Sequence, residues 1–380
     1  MLIETPRHFE TIGAVKLYDI QRVIKLDSEL SDNPLFYTFS KSDLHKVLND
    51  LSIVIPIKNE RINLFDGALR SIPHNCPIIV VSNSNEKRCK VEKEVVKQFY
   101  NVTEHPIMYI HQKDPNVALA FKELKYYDIL NGKGEFVRDG KGEGMIIGIL
   151  VAKAIGSKYV GFVDADNYLP SSIYEYVLDF AAGIKMSKSP YSMVRLRWKY
   201  KPKLIKNKVY FKRWGRVSRV TNKFLNKLIG HYLGYKTTIM KTANSGEHAM
   251  SIELANKLAY SSGYSIEPFE IIYILENFGK SDGNKIVEIF QIETLNPHIH
   301  ENKGEEHINN MIHDSLSTIY HSKLANKNIK LEIIEELKKR NVLKDKEEPK
   351  KNIMMSPIET LDEKSFIEIV RDSEGFIELR

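Results

Sequence analysis

Two aspartates one residue apart, Asp164 and Asp166, close the apolar run Tyr159-Val160-Gly161-Phe162-Val163. Along an extended strand, residues i and i+2 project from the same face. At the strand's end both carboxylates can therefore converge on one cation, or on the ribose and metal of a nucleotide. Mg²⁺ and Mn²⁺ combine carboxylate oxygen with substrate phosphate in this way. A D-x-D triplet alone is short enough to be a solvated turn. Its position at the end of a buried strand is what points to chemistry.

Four further segments carry matching residue types. Gly140-Lys141-Gly142-Glu143-Gly144 follows Arg138-Asp139 and precedes an apolar helical stretch. Its glycines let backbone approach a phosphate, the helix N-terminus favours the charge, and Lys141 adds a point charge for a diphosphate. The spacing is not that of a Walker motif. Arg216-Val217-Ser218-Arg219-Val220-Thr221-Asn222 places guanidinium and hydroxyl groups at the start of a helix, as a phosphate or carboxylate site requires. Asn244-Ser245-Gly246-Glu247-His248 reads as a capping turn opening a helix, with Glu247 either structural or facing a sugar hydroxyl. In Asn296-Pro297-His298-Ile299-His300-Glu301-Asn302 the two histidines share a side of an extended chain. One of them can complete a metal shell begun by Asp166.

The elements that must position these groups follow from the apolar pattern. Strands are expected over 51–57, 77–83, 107–110 and 158–163, alternating with helices from about 60 to 71, 86 to 100 and 144 to 155. Such alternation predicts an α/β fold, a mostly parallel, Rossmann-like sheet with helices on both faces. Ligands of such sheets bind beyond the carboxyl ends of the strands, and each of the four strands ends in polar residues. After Pro190 the pattern turns mixed, with strands over 191–200, 209–214 and 285–293. Helices are expected over 220–229, 247–260, 268–277 and 330–339. The implied organisation is an N-terminal extension (1–50) packed on the core, a nucleotide-binding half (51–190), an acceptor-binding half (191–320), and a peripheral helical segment (321–380).

Composition narrows the function classes. The 42% hydrophobic and 28% charged fractions are those of a globular protein. No run approaches the roughly 20 apolar residues a membrane span needs. The first residues lack a secretory pattern, and two cysteines, Cys76 and Cys89, make no disulfide framework or zinc cluster. A cytoplasmic enzyme is expected, and richness in Lys, Glu and Ile leans towards a thermophile. From Phe180 to Gly246 there are 17 Lys and Arg but no Asp or Glu, although the whole chain carries only +7. That segregation implies an anionic partner.

Taken in order, Pro56-Ile57-Lys58-Asn59-Glu60, Val81-Ser82-Asn83, Gly140-Lys141-Gly142, Asp164-Ala165-Asp166, Arg219-Val220-Thr221, Gly246-Glu247 and His298 resemble the mannosyl-3-phosphoglycerate synthase family and, more distantly, the glucosyl-3-phosphoglycerate synthases. The resemblance covers about residues 50–310. It implies a retaining GT-A glycosyltransferase that moves mannose from GDP-mannose to 3-phosphoglycerate, towards the compatible solute mannosylglycerate. By that resemblance Pro56, Ile57, Asn59, Glu60 and Ser82 hold the nucleoside, Lys141 the diphosphate, and Asp164 the ribose or diphosphate. Asp166 with a histidine, His298 by its likeness to the related family's pattern ahead of His300, holds Mg²⁺, Mn²⁺ or another divalent metal, and Glu247 touches the transferred sugar. Arg219 and Thr221 match the acceptor motif, with Arg216 and Ser218 as competitors and Arg138 nearby. A front-face attack, in which the leaving diphosphate helps take the acceptor's proton, fits the lack of a carboxylate nucleophile; Glu247 is the only other acid expected near the sugar.

Two rival readings share these features. A nucleotidyltransferase uses the same sheet and the same paired acids but releases pyrophosphate. A nucleic-acid binder would use residues 185–227, with Tyr200, Phe211 and Trp214 stacking bases, yet no nucleic-acid motif is present. The expected partners are therefore GDP-mannose and 3-phosphoglycerate, with no nucleic acid and no membrane. A homodimer is the one protein assembly considered.

Overall fold

Strands Leu51–Ile57 and Ile78–Ser82 are almost wholly buried along their length. This is why both read as continuous apolar runs, since helices cover both faces of a parallel sheet. The computed structural model describes residues 1–27, 33–205, 208–211, 215–280, 286–301 and 303–380. Trp214, Lys285 and Asn302, which the sequence reading assigned to strands or to the histidine segment, lie outside the described residues.

One sheet organises the described residues. Its strand order is Phe376–Leu379, Ile107–His111, Ile78–Ser82, Leu51–Ile57, Tyr159–Phe162, His248–Ser251, Tyr191–Trp198, Val287–Thr294, Val15–Lys25, Leu2–Glu4 and Phe36–Thr38. Phe9–Ile12 also pairs with Val15–Lys25. The strands from Ile107 back to Tyr159 run parallel, as do Tyr191–Trp198, Val287–Thr294 and Val15–Lys25. The short His248–Ser251 strand is antiparallel to both of its neighbours and joins the two parallel blocks. Apolar clusters pack on the two faces, one around the Lys141–Ala154 helix and the other around Ser172–Met186.

Four expectations need correction. Residues 1–50 are not merely packed on the core: Val15–Lys25 hydrogen-bonds into the sheet, its 11 residues half-buried in an alternating pattern. The C-terminal segment is likewise integral, because Phe376–Leu379 forms the sheet edge beside Ile107–His111. The helix expected over 247–260 is a strand, His248–Ser251, followed by a short Ile252–Lys257 helix that Ser251 caps. There, pairing on both sides overrides local helix preference. The helix expected from Gly144 begins at Lys141, so Gly142 and Gly144 lie within it. A side chain at Gly142 would meet the Ser261 carbonyl at 2.1 Å, which explains a glycine in the first turn.

Candidate active site

A cavity of about 380 Å³ opens beyond the carboxyl ends of the parallel strands. Pro56, Ile57, Lys58 and Glu60 line it from the end of Leu51–Ile57, and Val81 and Asn83 from the next strand. Gly140 and Lys141 enter from the N-terminus of the Lys141–Ala154 helix, and Asp164, Ala165 and Asp166 from the loop after Tyr159–Phe162. The polar ends of separate strands thus meet in one place, the geometry expected of ligand sites in open α/β sheets.

Lys141 is the hub on one side. Its Nζ lies 2.8 Å from Asp164 Oδ1 and 3.0 Å from Glu267 Oε1. Burial alone would lower its pKa, but Asp164 and Glu267 outweigh burial and hold the ammonium above its ordinary value. Gly246 keeps the facing loop close: a Cβ there would stand 2.5 Å from Asp164 Oδ2. Burial, with Asp166, Asp164 and Glu301 nearby, pushes Glu60 up to about 7, while Lys303 opposes the shift.

His298 occupies the centre of a second group. Nε2 lies 3.8 Å from Asp166 Oδ1, and Nδ1 lies 3.6 Å from Glu247 Oε1. Burial and the Lys201 charge hold the imidazole well below its usual value, so it is neutral. Glu247 is fully buried, and neither carboxylate oxygen has a hydrogen-bond partner. Burial and Asp164 push its pKa well up against the opposing pull of Lys201 and Lys141. His300 is placed differently, with both ring nitrogens against Lys203 Nζ, one of them at 3.1 Å. Among the described residues, no three His, Cys, Asp or Glu side chains form a ready-made metal cage.

The basic segment delivers cations to the same cavity: Lys201, Lys203 and Arg216 line it, joined by Lys303. Lys201 sits 3.9 Å from the Trp198 ring centre, and burial lowers its pKa. Burial and Lys201 lower Lys203 to about 7. Lys303 lies 3.3 Å from Asp166 Oδ2. Other cations of the segment are neutralised elsewhere. Arg195 is fully buried against Glu270 at 3.1 Å, Arg197 pairs with Glu293 at 3.4 Å, and Lys227 with Glu332.

Several expected residues lie off the cavity lining. Ser82 is buried and donates to Glu92, leaving Asn83 on the wall. Asn59, at φ 58°, is a loop former: its side-chain oxygen accepts from the Asn85 amide. Arg138 turns back to Glu143 and the Leu130 carbonyl. Within the doubled motif, Arg216 and Ser218 line the cavity from the start of the Arg216–Leu233 helix, and Arg216 is paired with Glu305. Arg219 and Ser218 line a smaller adjoining cavity with Trp198, Lys201 and Lys241. Thr221 is fully buried and donates to the Val217 carbonyl one turn back. Thr221 is therefore not on the wall, although Val217, one turn earlier, is. Glu247, fully buried, does not itself line the cavity; acids that do include Glu267 and Glu60. Glu267 gave no sequence signal, because its Ile266–Phe278 helix reads as a buried apolar stretch.

Comparison with known proteins accords with this geometry. The mannosyl-3-phosphoglycerate synthase family profile matches residues 5–370. The chain is 50% identical over 387 residues to the mannosyl-3-phosphoglycerate synthase of Pyrococcus furiosus, covering 98% of each chain. It is 35% identical to the mannosyl-3-phosphoglycerate synthase of Aeropyrum pernix, again over 98% of each. The fold resembles crystal structures of Mycobacterium tuberculosis glucosyl-3-phosphoglycerate synthase. One, in complex with Mn²⁺, UDP and phosphoglyceric acid, has a TM-score of 0.53 at 18% identity and covers 77% of this chain and 85% of that one. Another, with Mn²⁺, UDP-glucose and phosphoglyceric acid, has a TM-score of 0.54 at 17% identity, over 84% and 94%. The fold is that of GT-A glycosyltransferases. A full-length family match and half-identity to a curated relative leave one conclusion: the chain belongs to the mannosyl-3-phosphoglycerate synthase family of glycosyltransferases.

Proposed function

We propose that the chain transfers mannose from GDP-mannose to the hydroxyl of 3-phosphoglycerate with retention of configuration, giving the precursor of mannosylglycerate. The observation that supports this reading most is a single cavity combining Asp164, Asp166, Lys141 and a neutral His298 with Lys201, Lys203, Arg216 and Lys303. The first group suits a nucleoside diphosphate and a divalent cation, and the second suits a small acceptor bearing a phosphate and a carboxylate.

The residues fit a divalent ion. His298 is neutral with Nε2 towards Asp166, and the buried Glu247 lies 3.6 Å from its other nitrogen. Asp166 and His298 would hold the ion, His300 being engaged with Lys203. When bound, a divalent cation offsets the charge that grows on the departing diphosphate. Lys141 then donates to the diphosphate from a site where Asp164 and Glu267 already keep it charged. Pro56, Ile57 and Glu60 form the wall for the nucleoside, and Asp164 faces the ribose or diphosphate. Arg216 and Ser218, at the start of their helix, grip the acceptor phosphate. Burial and Lys201 disfavour the charged form of Lys203, and an entering dianion favours it. The sugar's bond to the diphosphate breaks as its bond to the acceptor oxygen forms on the same face, and the acceptor's proton leaves with a diphosphate oxygen.

The test is a product assay with GDP-mannose or UDP-glucose as donor and 3-phosphoglycerate as acceptor, with and without Mg²⁺. Mannosyl-3-phosphoglycerate from GDP-mannose is the expected product. A chain that glycosylates nothing, or uses only UDP-glucose, overturns the proposal.

A further inference from the structure

Asp166 and His298 lie 132 residues apart, yet their chain neighbours are bonded directly to each other. Asn167, next to Asp166, is buried and accepts the Ile299 amide at 3.1 Å through its side-chain oxygen. The same oxygen accepts the Leu169 amide at 3.0 Å, closing the turn that carries Asp166. Alongside, the Tyr168 amide donates to the Ile299 carbonyl at 2.7 Å. Ile299, next to His298, is thus bonded through both its amide and its carbonyl to the two residues that follow Asp166.

The far side of the His298 turn is held as firmly. Glu175 accepts the Leu295 amide, the Asn296 amide at 2.8 Å and the Asn296 side-chain amide at 2.6 Å. Tyr176 and Ser172 hydroxyls reach the Pro297 carbonyl at 3.4 and 3.3 Å, and the His298 amide donates to the Tyr200 carbonyl at 3.1 Å. Asn167 links to this second clamp as well, donating from Nδ2 to the Tyr176 hydroxyl at 3.3 Å. Asn167 thus lies in the Asp166 turn and bonds directly to the residue after His298, whereas Tyr176 bridges the same two turns from the neighbouring helix.

We propose that Asn167 is a positioning residue that fixes the spacing of Asp166 and His298, and so sets how strongly the pair binds a divalent cation. This rests on the reading that the pair holds such an ion. A chelating pair gains affinity only where its separation is set in advance, and loss of an outer partner costs a metal site about 10–100-fold. Asn167 is buried and does not line the cavity; its action runs through the two turns.

The experiment measures the affinity for GDP by calorimetry with and without Mn²⁺, on the full chain. The ratio of the two affinities isolates the contribution of the metal pair. Asn167→Ala is expected to keep its metal-free GDP affinity and lose about tenfold of the Mn²⁺-dependent gain. Asn167→Asp keeps an oxygen for both amides, and two backbone N–H donors suit a carboxylate, so it is expected to restore most of the gain. If Asn167→Ala melts earlier yet keeps the wild-type gain, the residue is merely structural and the inference is overturned. It is also overturned if metal-free and metal-dependent affinities fall together, or if Asn167→Asp restores nothing. A wild-type chain showing no Mn²⁺-dependent gain removes the metal reading and this inference with it, so the wild-type measurement separates the two failures.

Discussion

Lys141 Nζ stands 2.8 Å from Asp164 Oδ1, joining the first turn of one helix to the loop beyond the Tyr159–Phe162 strand. The contact holds a charged lysine at the mouth of the strand before any ligand arrives, with Glu267 as its second partner. A diphosphate entering here meets a cation already in place, so little reorganisation remains for the reaction itself.

Replacing that lysine should therefore affect turnover more than folding. Lys141→Ala is expected to lower kcat/KM for the nucleotide sugar by about a hundredfold, about 2.7 kcal/mol of barrier. Lys141→Arg should recover part of the loss, since it keeps the charge but not the compact geometry. Steady-state kinetics with varied donor decide it, and near-normal turnover in Lys141→Ala would refute the role.

The two histidines should separate cleanly. Asp166→Ala and His298→Ala are each expected to cut transfer by roughly a hundredfold or more and to blunt its response to added metal. His300→Ala should leave the metal response intact, because that ring is engaged with Lys203. Metal titrations of activity on the three variants are the measurement. Equal losses for His298 and His300 would contradict the assignment.

Within the doubled motif, Arg216→Ala and Ser218→Ala are expected to raise the KM for 3-phosphoglycerate, by about tenfold or more for the arginine, whose bond to a phosphate is charge-assisted. Thr221→Val removes a hydroxyl bonded within its own helix and should leave that KM unchanged. The opposite ranking in acceptor-dependence curves would return the role to the second repeat.

Asp179 offers a test of stability. It is fully buried in the Ser172–Met186 helix, and neither carboxylate oxygen has a hydrogen-bond partner. Burial and the neighbouring Glu175 hold its pKa well above the usual 3.8. The folded chain therefore keeps this proton over a range where the unfolded chain has released it. Its stability contribution is full below the unfolded value and is lost as pH rises towards the folded one. Asp179→Asn should accordingly melt higher than the wild type, by a margin that widens as pH rises above the ordinary carboxylate range. A margin constant with pH, followed by calorimetry, would show the carboxyl to be ordinary.

Local pattern made much of this legible. The strands of the first parallel block, the D-x-D pair, Lys141 and the histidine segment were readable because buried parallel strands are apolar throughout and break abruptly into polar ends. Residues 1–50 were not, because Val15–Lys25 buries only alternate positions and its place in the sheet depends on a partner some 270 residues away. His248–Ser251 was misread for a similar reason, since neighbours on both sides decide its pairing.

By itself, then, the sequence determined the residue types able to bind metal, diphosphate and anionic acceptor, along with the parallel strands that present them. Only the tertiary structure decided how those side chains are disposed. It sets His298 beside Asp166 and His300 against Lys203, puts Arg216 and Ser218 but not Thr221 on the cavity wall, and adds Glu267, Lys201 and Lys303. The physical reason is that chain order records what a side chain can do, whereas its direction depends on helical phase, strand pairing and the turns that clamp it.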